Sequence, residues 1–427
     1  MGVSLKLIVS SELFRVISQS ELSYTSNAWF DWYHSWCNTC VHMTTDPLYL
    51  DYNASTPMDE RVLAEVVEVA RTSFANPHSK EHALAWRAAE VASKAATRIL
   101  NALRAPDYSV VFTSGATEAN NLALRGLWEH SISRGKCGVA ASRFEHPCVR
   151  EVIGELVSRG AKVQEIEVSP RGVVESHAIE RACNQETGIV SLMAVNNEIG
   201  TVQPVETAAA IAHRYGAIVH TDASQAVGRI PIDIAKWGTD LFTISGHKCY
   251  GPKGIGALIV RNSVATLLQP LILGGGQQFG LRSGTLPVEL CAGLARAVEL
   301  SVEGQAVEWQ QARALRDVFL KSLREFANES PLLNGCMDTR VPHNLNLRFP
   351  GIPAETLLDK LDSICISRGS ACSREGNKPS ATLTSLGLES AAIEESVRIT
   401  FGRSTTLDQA KAAAQHIGAA IIILRGA

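Results

Sequence analysis

A chain of 427 residues, 45% hydrophobic and 19% charged, is long enough to bury more than one core and has the balance of a globular protein. A formal net charge of -3 excludes a broad basic surface for nucleic acid or acidic membranes, and the longest apolar run, near residues 418–424, is too short to span a bilayer. Ten cysteines scattered over this length do not form the dense framework of a small secreted protein, which points to a reducing compartment, the cytoplasm.

Residues 1–42 stand apart. They hold Trp29, Trp32 and Trp36 but little helical or strand period. With Lys6 and Arg15 as their only basic residues they do not read as a mitochondrial targeting peptide, and the apolar run 5–9 is short for a secretory signal. Lys6 stands where a myristoylation motif needs Ser or Thr. Cys37 and Cys40 form a lone CxxC without a second ligand pair, so neither metal nor redox chemistry is expected of them. The expectation is an N-terminal extension that is disordered, or a mis-assigned leader ahead of a true start at Met43.

From there the pattern is regular. Asp59 is placed to cap a helix running to about Phe74, with Val62, Val66, Val69 and Ala70 on one face. A second amphipathic helix is predicted over 80–103, with Leu84, Ala88, Val91, Ala95, Ile99 and Leu103 at three- and four-residue steps. Short apolar runs then alternate with helical stretches. Seven strands are predicted, over 109–113, 138–141, 162–166, 190–195, 218–221, 241–244 and 256–260, which argues for an α/β fold with a mostly parallel sheet covered on both faces. Past about residue 305 a long helix over 306–329 is followed by strands near 344–349, 364–367 and 397–400 and a terminal helix. The expected division is a large domain over 58–304 and a smaller α+β domain made of 43–57 and 305–427.

The polar residues of interest fall just past predicted strand ends, where ligands bind in open α/β sheets. Ser114, Gly115, Ala116 and Thr117 open a helix whose N–H groups and positive dipole end suit a phosphate. Glu145 and His146 follow the second strand, Asn196 and Asn197 the fourth, Asp222 the fifth, and Ser245, His247 and Lys248 the sixth. A carboxylate such as Asp222 is either a cap or the partner that keeps a pyridinium nitrogen protonated. A lysine among glycines is commonly a solvated loop residue, whereas a Schiff-base lysine needs close cofactor approach. Cys372 lies on a loop of small residues that suggests the exposure and mobility a nucleophile needs. Cys148 and Cys249 read as small side chains beside the pocket rather than as nucleophiles.

Together these segments carry a resemblance. Residues 49–57 (YLDYNASTP), 112–118 (FTSGATE), 195–200 (VNNEIG), 220–225 (HTDASQ), 245–248 (SGHK) with 251–254 (GPKG), 281–285 (LRSGT) and 369–372 (GSAC) occur in the order found in the cysteine desulfurases of the NifS/IscS type. These are pyridoxal-phosphate enzymes of fold type I in the class V aminotransferase-like family, and the likeness runs from about Leu48 to the C-terminus. It implies that Lys248 anchors pyridoxal 5'-phosphate as an imine, that His146 stacks on its ring, that Asp222 pairs with the ring nitrogen and that Gln225 binds the phenolic oxygen. Ala116, Thr117, Ser245 and His247 would hold the phosphate, joined by Thr285 of the partner subunit in a homodimer. Asn197 would serve both cofactor and substrate, and Arg398, in preference to Arg403, would clamp the substrate carboxylate.

The implied reaction removes sulfur from L-cysteine. Lys248 takes the Cα proton, the Cys372 thiolate takes the sulfur as a persulfide, alanine leaves, and His146 serves as acid or base for the leaving thiol. A separate acceptor protein would receive the sulfur, for iron–sulfur cluster assembly or for thiolation of nucleic acids or cofactors. No resident metal, membrane contact or direct nucleic-acid binding is implied, though Cys372 could transiently ligate an iron–sulfur cluster. Residues 373–378 (SREGNK) carry charges where such enzymes often have uncharged residues, which leaves the acceptor open. The alternatives are a selenocysteine lyase or other β-eliminating lyase and, in another class, a non-catalytic sulfur carrier or scaffold.

Overall fold

The structure is a computed structural model that describes residues 47–328, 330–368 and 379–426. The extension with Cys37 and Cys40, and Cys372 with its loop, lie outside the described residues.

Asp59 caps the helix Glu60–Thr72 by accepting from the Arg61 backbone N–H. Of its four predicted inward residues Val62 is buried and Ala70 is exposed. The second helix, Ala83–Ala102, starts three residues later than expected because His82 is its N-cap. Leu84 therefore sits in the first turn and is 45% exposed, while Ala85 and Ala92 join Ala88, Ala95 and Ile99 in the core.

The central sheet has seven strands in the order β2 (Tyr108–Thr113), β8 (Gly256–Arg261), β7 (Leu241–Ser245), β6 (Ile218–Asp222), β5 (Thr187–Ser191), β3 (Gly138–Ser142) and β4 (Lys162–Ile166). Only β8 runs against the rest. Side chains alternate between its faces. Val110, Phe112, Phe242 and Ile259 pack under the helices Glu60–Thr72, Ala83–Ala102 and Val288–Ala327. Val111, Leu241, Leu258 and Val260 face the other way with Leu124, Leu127 and Trp128 of the helix Ala116–Ser133. Strand β5 begins three residues before the predicted 190 and ends at Ser191. Leu192 and Ala194 still donate to main-chain carbonyls of His220 and Asp222, so the sequence pattern continues past the regular ladder.

The helix predicted over 306–329 is forty residues long, Val288–Ala327. Its first half carries only a narrow polar stripe, Glu289, Arg296, Glu299 and Glu303, because it is covered on several sides, with Cys291, Leu294, Ala295 and Val298 buried. The expected boundary at 304/305 falls inside it. Its second half carries Leu315, Phe319 and Leu323 into a separate core built with Leu345, Phe349, Ile399, Phe401 and the helix Leu407–Gly426. Burying each such large side chain contributes about 1.5–3 kcal/mol. That core lies on an antiparallel sheet of β9 (Leu332–Leu333), β10 (Asn344–Arg348) and β12 (Ser396–Thr400). Beside it β1 (Leu48–Tyr49) pairs in parallel with β11 (Ile364–Cys365), which is shorter than the predicted 364–367. Among the described residues no helix is long and apolar enough to cross a membrane.

Candidate active site

The carboxyl ends of β2, β3, β5, β6 and β7 lie along one edge of the sheet, because all five strands run the same way. The antiparallel β8 brings its first residue to that edge, and Gly256 pairs with both Thr113 and Ser245. A Cβ at Gly256 would meet the Gly115 main chain at 2.8 Å and the Ile244 carbonyl oxygen at 2.7 Å, so only glycine lets the two turns come this close. The helix Ala116–Ser133 begins here with no side-chain cap. Its first N–H groups, at Ala116 and Thr117, have no intrahelical partner and face the edge under a positive dipole. Glu118 fixes the turn, accepting from the Ser114 N–H at 2.8 Å and from Arg282 Nε at 2.8 Å. Ser245 closes β7 and His247 lies in the single turn after it, its Nδ1 3.2 Å from Ser55 Oγ. Burial pushes the His247 pKa down to about 4, with Lys248 adding to the effect.

Lys248 donates from Nζ to the main-chain oxygens of Asn53 at 2.6 Å and Ala54 at 2.8 Å. Gln225 donates to the same Asn53 oxygen at 2.9 Å. The segment carrying these acceptors is itself anchored. Thr56 donates from N and Oγ1 to the His247 carbonyl, and Asn53 Oδ1 lies 2.9 Å from His343 Nε2.

Asp222 ends β6 and is buried. Its Oδ1 accepts from the N–H of Ser224 at 2.9 Å and its hydroxyl at 2.6 Å, and its Oδ2 from Asn120 Nδ2 at 2.7 Å. His146 caps the helix Pro147–Ser158 by accepting from the Cys148 N–H. Burial lowers its pKa, with Asp222 opposing and Lys248 reinforcing that shift, so the ring lies in the fields of both groups. Next to it Glu145 is fully buried. Its Oε1 accepts from Ser142 Oγ and the Met193 N–H while Oε2 has no partner, and burial pushes its pKa up to about 8.

Arg398 in β12 is also buried. It donates from Nη2 to Asp51 Oδ1 at 2.6 Å and from Nη1 to the Asn197 carbonyl oxygen at 3.0 Å. Asn197 thus meets Arg398 through its main chain, and Asn53 Nδ2 reaches the same oxygen at 3.0 Å. Arg403 is engaged elsewhere, paired with Asp59 and Glu308 and lying over the Tyr250 ring. Thr285 is exposed, and among the described residues it shares no hydrogen bond with the others. Its turn is tied to β2 through Gln278, which exchanges two bonds with the Phe112 main chain. Cys249 is buried, its pKa pushed up to about 12.

This donor set fits pyridoxal 5'-phosphate. An uncapped helix N-terminus with Thr117, Ser245 and His247 suits its phosphate, the buried Asp222 carboxylate suits a pyridinium nitrogen, the His146 ring suits stacking, and Lys248 supplies a primary amine for its aldehyde. Four contributors had no individual role in the sequence reading: Asp51, Asn53, Asn120 and His220. Two carried a signal. Asn120 lies one helical turn after Thr117, and His220 lies two residues before Asp222 on the same face of β6.

The Aminotransferase class-V family profile matches residues 48–412. The chain is 41% identical over 362 residues to the mitochondrial cysteine desulfurase of Eremothecium gossypii, covering 85% of this chain and 73% of that one. A solved NifS-like protein superposes with a TM-score of 0.81 at 31% identity, covering 89% of this chain and all of that one. SspA, solved in complex with cysteine, superposes with a TM-score of 0.72 at 35% identity, covering 83% and 98%.

Proposed function

From the premise that this chain belongs to the class-V aminotransferase family, we propose that it is a cysteine desulfurase that moves the sulfur of L-cysteine onto Cys372 and releases L-alanine. The observation that carries the reading is the meeting of Lys248, Asp222, His146 and the uncapped Ala116–Thr117 turn at one sheet edge, in a chain similar to named cysteine desulfurases over most of its length.

Bound pyridoxal 5'-phosphate supplies an electron sink conjugated to the substrate Cα. Ala116, Thr117, Ser245 and His247 would hold its phosphate, Asp222 its ring nitrogen and Gln225 its phenolic oxygen, with Asn197 as a further contact. Arg398, oriented by Asp51, takes the substrate carboxylate in a bidentate grip. The Lys248 amine would anchor the cofactor's aldehyde and is the base that accepts the Cα proton. The Cys372 thiolate attacks the substrate sulfur. As the new S–S bond forms the C–S bond breaks with its electron pair going to Cβ, and protonation at Cβ together with return of the proton from Lys248 to Cα gives alanine. His146 handles the proton of the substrate thiol. Thr285 of the partner subunit completes the phosphate site in a homodimer, and an acceptor protein of the cytoplasm takes the persulfide sulfur for iron–sulfur cluster assembly or thiolation.

The test is alanine release from L-cysteine by the yellow holoenzyme, which should absorb near ~420 nm, with mass spectrometry of Cys372 after one turnover. The persulfide should appear on Cys372, and Cys372→Ser should release no alanine. Turnover of cysteine that survives Cys372→Ser rejects the persulfide step and favours a β-eliminating lyase. A colourless protein that stays colourless with added cofactor favours a scaffold.

A further inference from the structure

We propose that Asn120 and Cys148 are positioning residues that hold His146 as its Nε2–H tautomer and tie that choice to Asp222 through one amide group. The proposal rests on the reading of His146 and Asp222 as active-site groups.

The argument is one of donors and acceptors. The backbone N–H of Cys148 can only donate, and it reaches His146 Nδ1 at 3.2 Å. Nδ1 is therefore an acceptor, and the neutral ring carries its proton on Nε2. Cys148 Sγ lies 2.9 Å from the same nitrogen. Burial pushes the thiol pKa up to about 12, so it remains S–H and donates to Nδ1. As an acceptor, Sγ receives Asn120 Nδ2 at 3.1 Å, and the other hydrogen of that amide goes to Asp222 Oδ2 at 2.7 Å.

The amide cannot be turned round, because its oxygen would then face the Asp222 carboxylate. Its far side agrees. Asn120 Oδ1 lies 3.0 Å from His220 Nε2, and Ser191 Oγ lies 2.9 Å from His220 Nδ1. A Ser191 hydroxyl donating to Nδ1 leaves Nε2–H for the amide oxygen, with Thr243 Oγ1 also near that nitrogen at 3.2 Å. Burial keeps the His220 ring neutral, its pKa pushed down to about 4. Each bond in the series from Ser191 to His146 fixes the direction of the next.

The charges around His146 do not select a tautomer. Asp222 raises its pKa and Lys248 and Arg150 lower it, while burial pushes the pKa of the neighbouring Glu145 up to about 8. Only the directional donors distinguish the two ring nitrogens. The consequence is an Nε2–H presented away from Cys148, on a ring whose pKa burial lowers.

The test uses the full-length, cofactor-free protein labelled with 15N-histidine, with His146→Gln identifying the resonance. Wild-type protein should show the Nε2–H pattern. Loss of the S–H donor in Cys148→Ala should raise the His146 pKa by about half a unit or more. Cys148→Ser, which keeps a hydroxyl that both donates and accepts, should stay close to wild type. Cys148→Val is a second non-donor should the alanine variant fold poorly, and Asn120→Ala should move the His146 pKa the same way. In the holoenzyme the acid limb of the pH profile for alanine release should move with the NMR value. An unchanged tautomer and pKa in the folded Cys148 non-donor variants overturns the proposal. A wild-type protein that releases no alanine while the NMR shifts occur overturns the desulfurase reading and leaves the positioning roles standing.

Discussion

The two walls of the site are held by different kinds of bond. Around Asp222 side chain meets side chain: Asn120, Cys148, His146, His220 and Ser191 form one connected set. Around Lys248 and Arg398 the cations meet main-chain oxygens of Asn53, Ala54 and Asn197, and Arg398 Nη2 also meets the Asp51 carboxylate. The first wall sets which atoms carry protons, and any single substitution in it changes a neighbour's partner. The second wall sets where positive charge sits, and it depends on the path of the 50–56 segment more than on that segment's side chains.

The largest expected effect is on the second wall. Lys248→Ala removes anchor and base together, so alanine release should fall by about 10³-fold or more, with the thermal midpoint nearly unchanged. Substantial turnover would refute the role given to Lys248. On the first wall Asp222→Asn keeps the shape and removes the charge, and kcat should drop by about 10²-fold. A smaller loss than that of Asp51→Asn would reverse the ranking of the walls. In Asp51→Asn, Arg398 keeps its main-chain partner and loses its ion pair. The KM for L-cysteine should rise by about tenfold with a lesser change in kcat. A fall in kcat at constant KM would place Asp51 in a different role.

The smallest effect is on stability and compares one histidine from each wall. Burial pushes both His220 and His247 down to about 4. The unfolded chain takes up these protons near pH 6.5 and the folded chain only near pH 4, so stability should fall as pH drops through that window. The thermal midpoint should decline by several °C there. Glu145, raised to about 8, contributes in the opposite sense above pH 4.5, so the deciding comparison is with the variant: a slope unchanged in His247→Asn would mean that the His247 ring is not neutral by burial. His247→Asn should remove part of the slope and leave the part owed to His220 and the other buried histidines, His343 and His146.

The sequence made the sheet edge legible because each strand announces itself by apolar residues and ends in a polar group. Six of the seven strand predictions fall within two residues of the observed ends, and Thr117, His146, Asp222, Ser245 and Lys248 lie where strand ends converge. The start of the helix Val288–Ala327 was hidden by its burial, which narrows the polar stripe that marks an amphipathic helix to Glu289, Arg296, Glu299 and Glu303. Asn120, His220 and Asp51 were not singled out for a different reason. Their partners lie far away in the chain, and nothing local in an Asn or a His tells which way its donors will point.

The ion pair of Asp51 and Arg398 joins residues 347 positions apart. The segment entering the site first and the strand entering it last are both needed to form the clamp. If Arg398 is the proposed clamp, a ribosome must make nearly the whole chain before a substrate carboxylate has anywhere to dock. On the same proposal, a product truncated before Arg398 should release no alanine from L-cysteine.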